Sequence, residues 1–116
     1  MATTKDRLEI LLREAGLIVL ELIDKTVVDE GVCYVLNDAY ELGDPGEQFF
    51  VVAAVPEYGK LDPYIQKVWT ILVAMNPEGF EPLSYTANYS TIAIPGRQHM
   101  QRVDIAVLEV SSNVRL

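Results

Sequence analysis

VCYVLNDAYELGDPGEQFFVVAAV, residues 32–55, decides the fold. Its even positions from 32 to 42 read Val32, Tyr34, Leu36, Asp38, Tyr40 and Leu42, while the odd ones include Asn37 and Glu41. Period-two alternation of this kind predicts a strand with one mostly apolar face, Asp38 being the exception. Gly43, Asp44, Pro45 and Gly46 then form a strong turn signal, with proline suited to the first central position and glycine to a positive φ at the next. Residues 48–55 are apolar on both faces, which predicts a central strand ended by Pro56 and loosened by Gly59. The stretch therefore reads as an antiparallel pair.

Upstream, Thr3 or Thr4 can cap a helix beginning near Lys5, with Asp6 and Glu9 in its first turns facing the positive end of the dipole. Leu8, Leu11, Leu12 and Ala15 recur at helical spacing as its apolar stripe. Gly16 followed by Leu17 predicts a stop, since glycine takes a left-handed position and the next apolar residue folds back on the last turn. Residues 17–20 then suit a short buried strand, although Val19, Leu22 and Ile23 also continue the helical stripe as far as Asp24.

Downstream, Asp62 before Pro63 predicts a helix start with a capping carboxylate and a first-turn proline. Ile65, Val68, Trp69, Leu72 and Met75 or Asn76 share one face, and Pro77 discourages helix at the residue before it. Residues 83–94 are rich in Tyr, Thr and Ile, Pro95 and Gly96 turn the chain, and residues 102–110 close it as a strand apolar on both sides. The expected class is α+β: a mainly antiparallel sheet of about four strands, with an N-terminal helix and a central helix packed on one face. Residues 1–116 form a single domain in this reading. The two-faced strands imply a cover for the second face, from residues 17–28 or from a neighbouring subunit.

Half of the residues are apolar and 22% are charged, which excludes a disordered chain, and the apolar runs are too short to span a bilayer. The first residues show no basic region leading into an apolar stretch, so no secretory signal is expected. A net charge of −8 argues against a protein that grips nucleic acid by neutralising phosphates. Acidity instead suits solubility, a basic partner, or a passage through which DNA slides without sticking.

Catalytic chemistry finds little footing. His99 is the only histidine and sits beside Arg97 and Arg102 in a polar loop, where a solvated or interface role is expected. Cys33 is the only cysteine and reads as a buried, inert thiol. The carboxylates Asp29, Glu30, Asp44 and Glu47 fall near loops without calcium-loop spacing. The glycines form neither a dinucleotide fingerprint nor a phosphate loop. No catalytic residue, metal or cofactor is therefore expected. Six tyrosines serve sheet packing or interfaces, and Tyr85 and Tyr89 are the interface candidates.

In its element order the chain resembles the tail terminator proteins of long-tailed bacteriophages. The resemblance rests on the helix at residues 5–15, the pair at 32–42 and 48–55, the helix after Asp62 and Pro63, and the final hairpin, whose last strand is RVDIAVLEV. Residues 17–28 depart from it, being more apolar than the loop expected there. The resemblance implies a virion protein, assembled in the host cytoplasm, that forms a hexameric ring on the head-proximal end of the tail tube. Such a ring stops tube polymerisation and contacts both the tail tube protein and the head-completion protein. DNA would pass through without specific binding, past the lumen candidates Asp29, Glu30, Asp44 and Glu47. Tyr85, Tyr89, Arg97, His99 and Arg102 would then serve subunit or partner contacts. The alternative is a small acidic binding protein, an immunity protein or secretion chaperone that masks a basic partner. A small enzyme is the least favoured reading.

Overall fold

The first helix, α1 (Thr4–Glu14), ends where glycine permits it. Gly16 has φ +98°, its N–H bonds the Arg13 carbonyl at 3.0 Å, and the Leu17 N–H reaches back to the Leu12 carbonyl at 3.1 Å. This is a Schellman stop: the left-handed residue satisfies carbonyls that the helix would otherwise leave open, and Leu17 folds into the core beside Leu12. The chain then enters β1 (Val19–Leu20), so the break at Gly16 wins over a longer helix.

The computed structural model describes residues 4–20, 31–37, 48–56, 60–95 and 100–112. Within these, β2 (Val32–Asn37) and β3 (Gln48–Pro56) form the expected antiparallel pair, with Val32 opposite Ala54 and Asn37 opposite Phe49. The turn expected at residues 43–46 lies outside the described residues, as do residues 38–42 of the longer strand expected there. The second helix, α2 (Leu61–Ala74), is followed by a 3-10 turn at Asn76–Glu78 that Gly79 closes at φ +94°. Asp62 is not its cap. The helix begins one residue earlier, which puts Asp62 in the first turn, where a carboxylate still faces the positive end of the dipole. Pro63 also falls in that first turn, where a missing N–H costs no helical hydrogen bond.

The closing strands are longer than the pattern suggested: β4 (Phe80–Pro95) and β5 (Met100–Ser112). Among the described residues the sheet has five strands, against the four or so expected, in the order β1-β2-β3-β5-β4. The added strand is β1, which pairs parallel to β2 through Val19 opposite Cys33 and Leu20 opposite Tyr34. The other described pairs are antiparallel, so the fold is α+β. Strand β3 is central, as its two apolar faces require, and β4 and β1 are the edges.

Both helices lie on one face. There α1 packs over β1 and β2, while α2 packs over β3, β5 and β4. Leu8 and Leu12 from α1, Ile65, Val68 and Leu72 from α2, and Phe49, Val51, Leu108 and Val110 from the sheet share the main core. Phe80, just past the 3-10 turn, meets Phe49 edge to face with ring centroids 6.4 Å apart. Each such fully buried side chain contributes about 1.5–3 kcal/mol relative to exposure.

The opposite face is covered unevenly. Val32, Tyr34, Val52, Ala54 and Val103 form a second buried cluster whose described members all come from strands. Leu36, on the same face of β2 but nearer its end, is 50% exposed. The second face is thus buried at one end of the sheet and open at Leu36. Of residues 17–20, Leu17 and Val19 turn into the main core while Leu20 packs against this second cluster, and residues 21–28 lie outside the described set.

Candidate interaction surface

Edge strands expose a row of backbone donors and acceptors, and chains blunt them with charge, brevity or a cap. Edge β1 has two of these protections. It is two residues long, and the Arg13 guanidinium donates to the Val19 carbonyl at 3.0 Å. Arg13 in turn leans on Glu9, whose carboxylate lies 3.5 Å from Arg13 and 3.3 Å from Lys5. Glu9 is only 6% exposed. The sequence pattern assigns it to the helix dipole alone; its burial follows from the packing of α1 against the sheet, which local spacing does not encode.

Edge β4 is different. It runs for sixteen residues, and residues 82–96 contain no charged side chain. Pro82 and register shifts at Pro82/Ser84 and Asn88/Ile92 are its only irregularities among the described pairs. Leu83 is 51% and Tyr85 45% exposed. Tyr85 lies opposite Leu108 and so faces α2, where its ring meets the half-buried Trp69 edge to face at 5.9 Å. Val73, one turn on from Trp69, is also exposed. On the other face Ser84 donates a 3.2 Å hydrogen bond to Glu109 across the strand pair. Trp69, Val73, Leu83 and Tyr85 thus place an uncharged, partly aromatic patch on α2 and the long edge.

Tyr85 is the sequence-expected interface residue that this patch contains. The backbone of Tyr89 belongs to β4, but its side chain lies outside the described set, and Arg97 and His99 lie outside the described residues altogether. Arg102 is exposed on β5, opposite Ala93. Asp29, Glu30, Asp44 and Glu47 also fall outside the described residues. Trp69 and Val73 were not anticipated as surface groups. Trp69 sits at the margin of the α2 stripe, and that marginal position was the available signal.

Tyr34 and Tyr64 are buried and do not belong to this surface. Tyr64 approaches Cys33 across the core, Oη to Sγ 3.3 Å. Burial pushes the Cys33 thiol up to about 11, against smaller opposing effects of the Tyr64 hydrogen bond and the Lys67 charge. Burial likewise raises the Tyr64 hydroxyl, and the neighbouring Cys33 adds to the effect. A protonated, enclosed sulfur is a poor nucleophile, so this pair serves packing. Arg7 pairs with Glu78, tying α1 to the turn after α2.

No helix among the described residues is long and apolar enough to cross a membrane. No protein-family model matches the chain, and no curated protein matches it in sequence.

Proposed function

We propose that this chain is a structural subunit that works by assembling with copies of itself. The specific form we propose is the tail terminator of a long-tailed bacteriophage: a six-membered ring that caps the head-proximal end of the tail tube, stops its polymerisation and joins it to the head-completion protein. The observation that carries the assembly reading is β4, a long sheet edge without charge from Pro82 to Pro95 that bears the half-exposed Leu83 and Tyr85. The phage reading adds the resemblance in element order. It also gives the acidic balance a use, since a negative lumen repels DNA and lets it slide.

Light scattering combined with negative-stain imaging tests this. The expected result is a ring of six copies of 13.0 kDa each, and its lumen should not retain duplex DNA at low salt. A monomer at high concentration, alone and with tail tubes, would overturn the reading. The net charge of −8 favours one other function, an acidic binding protein that masks a basic partner. That protein would be a monomer or dimer and would bind its partner with a strong salt dependence.

A further inference from the structure

Sheets grow at edges whose backbone donors and acceptors are open, and the two edges of this sheet differ in that respect. Edge β1 offers two residues, and the Arg13 guanidinium already takes the Val19 carbonyl. The outer edge of β4 (Phe80–Pro95) meets no described strand. Residues 82–96 are also the longest stretch of the chain without a charged side chain. In a chain of net charge −8, that is where a second copy meets least repulsion.

The regular part of β4 sets where a strand can add. Register shifts at Pro82/Ser84 and Asn88/Ile92 leave residues 84–88 as its longest unbroken run against β5, from Ser84 opposite Glu109 to Asn88 opposite Ile105. Thr86, opposite Val107, is the midpoint of that run and is exposed. Side chains alternate between the faces of a strand, so Tyr85 and Ala87 stand on the α2 side and Ser84, Thr86 and Asn88 on the other. None of these residues is charged, and the Glu109 carboxylate, one strand inward, accepts the Ser84 hydroxyl at 3.2 Å.

We infer that β4 pairs with β4 of a second copy, antiparallel, about a two-fold axis at Thr86. The occupant follows from the edges. A copy offering β1 would supply two rungs and would have to displace Arg13, so copies that join edge to edge use β4 on both sides. A contact made by the same patch of both copies is isologous, and a two-fold perpendicular to the sheet makes the added strand antiparallel. Centred on Thr86, it sets Thr86 opposite Thr86, Tyr85 opposite Ala87 and Ser84 opposite Asn88 of the second copy, which keeps each pair on one face of the joined sheet. Opposite residues lie about 4.5–5.5 Å apart at Cβ, where paired threonines are favourable and the Tyr85 ring has only the Ala87 methyl to clear. The inference rests on the self-assembly reading above but not on its phage form, and a six-membered assembly that uses this contact consists of three two-fold pairs.

The test is the mass of the full chain by light scattering for wild type, Thr86→Lys, Thr86→Glu and an equal mixture of these two variants. Ile10→Lys, at an exposed position of α1 on the other side of the sheet, serves as the reference for added charge. Far-UV circular dichroism and urea midpoints check that each variant folds. A two-fold at Thr86 puts like charges opposite each other in either variant alone and opposite charges in the mixture. The expected result is a wild-type oligomer whose dissociation constant rises roughly tenfold or more in each Thr86 variant, returns towards wild type in the mixture, and is unchanged by Ile10→Lys. Association lost in both variants and not restored by mixing would overturn the two-fold. A six-membered assembly indifferent to both variants would overturn the β4 pairing and leave the ring reading standing. A wild-type dimer with the expected pattern would sustain the pairing and overturn the ring, whereas a six-membered assembly with that pattern would sustain both. A monomer under all conditions would overturn both.

Discussion

Replacing Gly31 with alanine tests the packing at the start of β2. Gly31 has φ +88°, where an L residue brings its Cβ against the following carbonyl at a cost of about 1–2 kcal/mol. A methyl built there would also lie 2.8 Å from Cε1 and Cζ of Tyr64 and 2.9 Å from Cδ1. Carbon atoms prefer about 3.5–4.0 Å, so the ring or the strand must move. The ring has little freedom, because it is buried and its hydroxyl lies 3.3 Å from the Cys33 sulfur. Overpacking of this kind costs about 1–3 kcal/mol, which brings the expected loss to roughly 2–5 kcal/mol. Urea unfolding followed by Trp69 fluorescence should show a lower midpoint at unchanged slope. The two causes separate in a Tyr64→Leu background: the ring is gone there, and only the backbone cost of about 1–2 kcal/mol should remain. A loss below about 1 kcal/mol in the wild-type background, or an equal loss in both, would refute the close approach of Gly31 to the ring.

Four further outcomes are expected. Because Cys33 is raised from its ordinary 9.0 to about 11, the unfolded chain releases its proton first. Stability should therefore fall as pH rises across that window, by up to about 3 kcal/mol. Cys33→Ala should show a shallower decline in urea midpoint, though not a flat one, since the raised Tyr64 hydroxyl acts in the same direction. Phe49→Ala removes a fully buried ring and its edge-to-face partner contact, so thermal and urea unfolding should report a loss of about 3–5 kcal/mol. Glu9→Ala should cost only about 1 kcal/mol, because Lys5 and Arg13 remain solvent-accessible when their carboxylate is removed. Asp44→Lys/Glu47→Lys should leave stability within about 0.5 kcal/mol of wild type, since carboxylates of the turn expected from the sequence add little to a core; a large loss in urea unfolding would make them structural.

The elements legible in the sequence were those fixed by local chemistry. Gly16 and Leu17 announced a helix stop that the Schellman hydrogen bonds realise, and the α2 stripe named Ile65, Val68 and Leu72, all of which are buried. Residues 48–55 read as central because both faces are apolar, and β3 is central. What stayed hidden depends on partners distant in sequence. The parallel pairing of β1 with β2 has no local signature in a two-residue strand. The full length of β4 was obscured because Pro82 and Pro95 are poor strand residues, yet the strand runs from Phe80 to Pro95. Asp62 misled for the opposite reason: aspartate before proline is a good cap signal, yet the helix starts at the buried Leu61 with Lys60 in the cap position, two residues before Asp62. At the candidate surface, Tyr85 could be named from its residue type, whereas Trp69 needed the register that sets it against Tyr85.

The two edges of the sheet bring these observations together. On one edge, Glu9 holds Arg13 and Arg13 covers the Val19 carbonyl, so a buried carboxylate on α1 closes a strand edge through its neighbour one turn on. Charge is thus spent where pairing is to be prevented. On the other edge the sequence withholds charge for the whole of residues 82–96, in a chain where 22% of residues are charged. A sixteen-residue strand whose outer edge meets no described strand, with exposed Leu83 and Tyr85, invites pairing and aggregation unless a partner meets it. Among the described residues the chain guards one edge and leaves the longer one open, which is the basis on which we propose assembly through it. This asymmetry has a measurable consequence. Arg13→Ala should uncover the Val19 carbonyl and promote association through β1, whereas a lysine at Leu83 should suppress association through β4. Opposite changes in oligomer mass from these two substitutions would establish that each edge is controlled by its charge, and the absence of any change from either would sink that account.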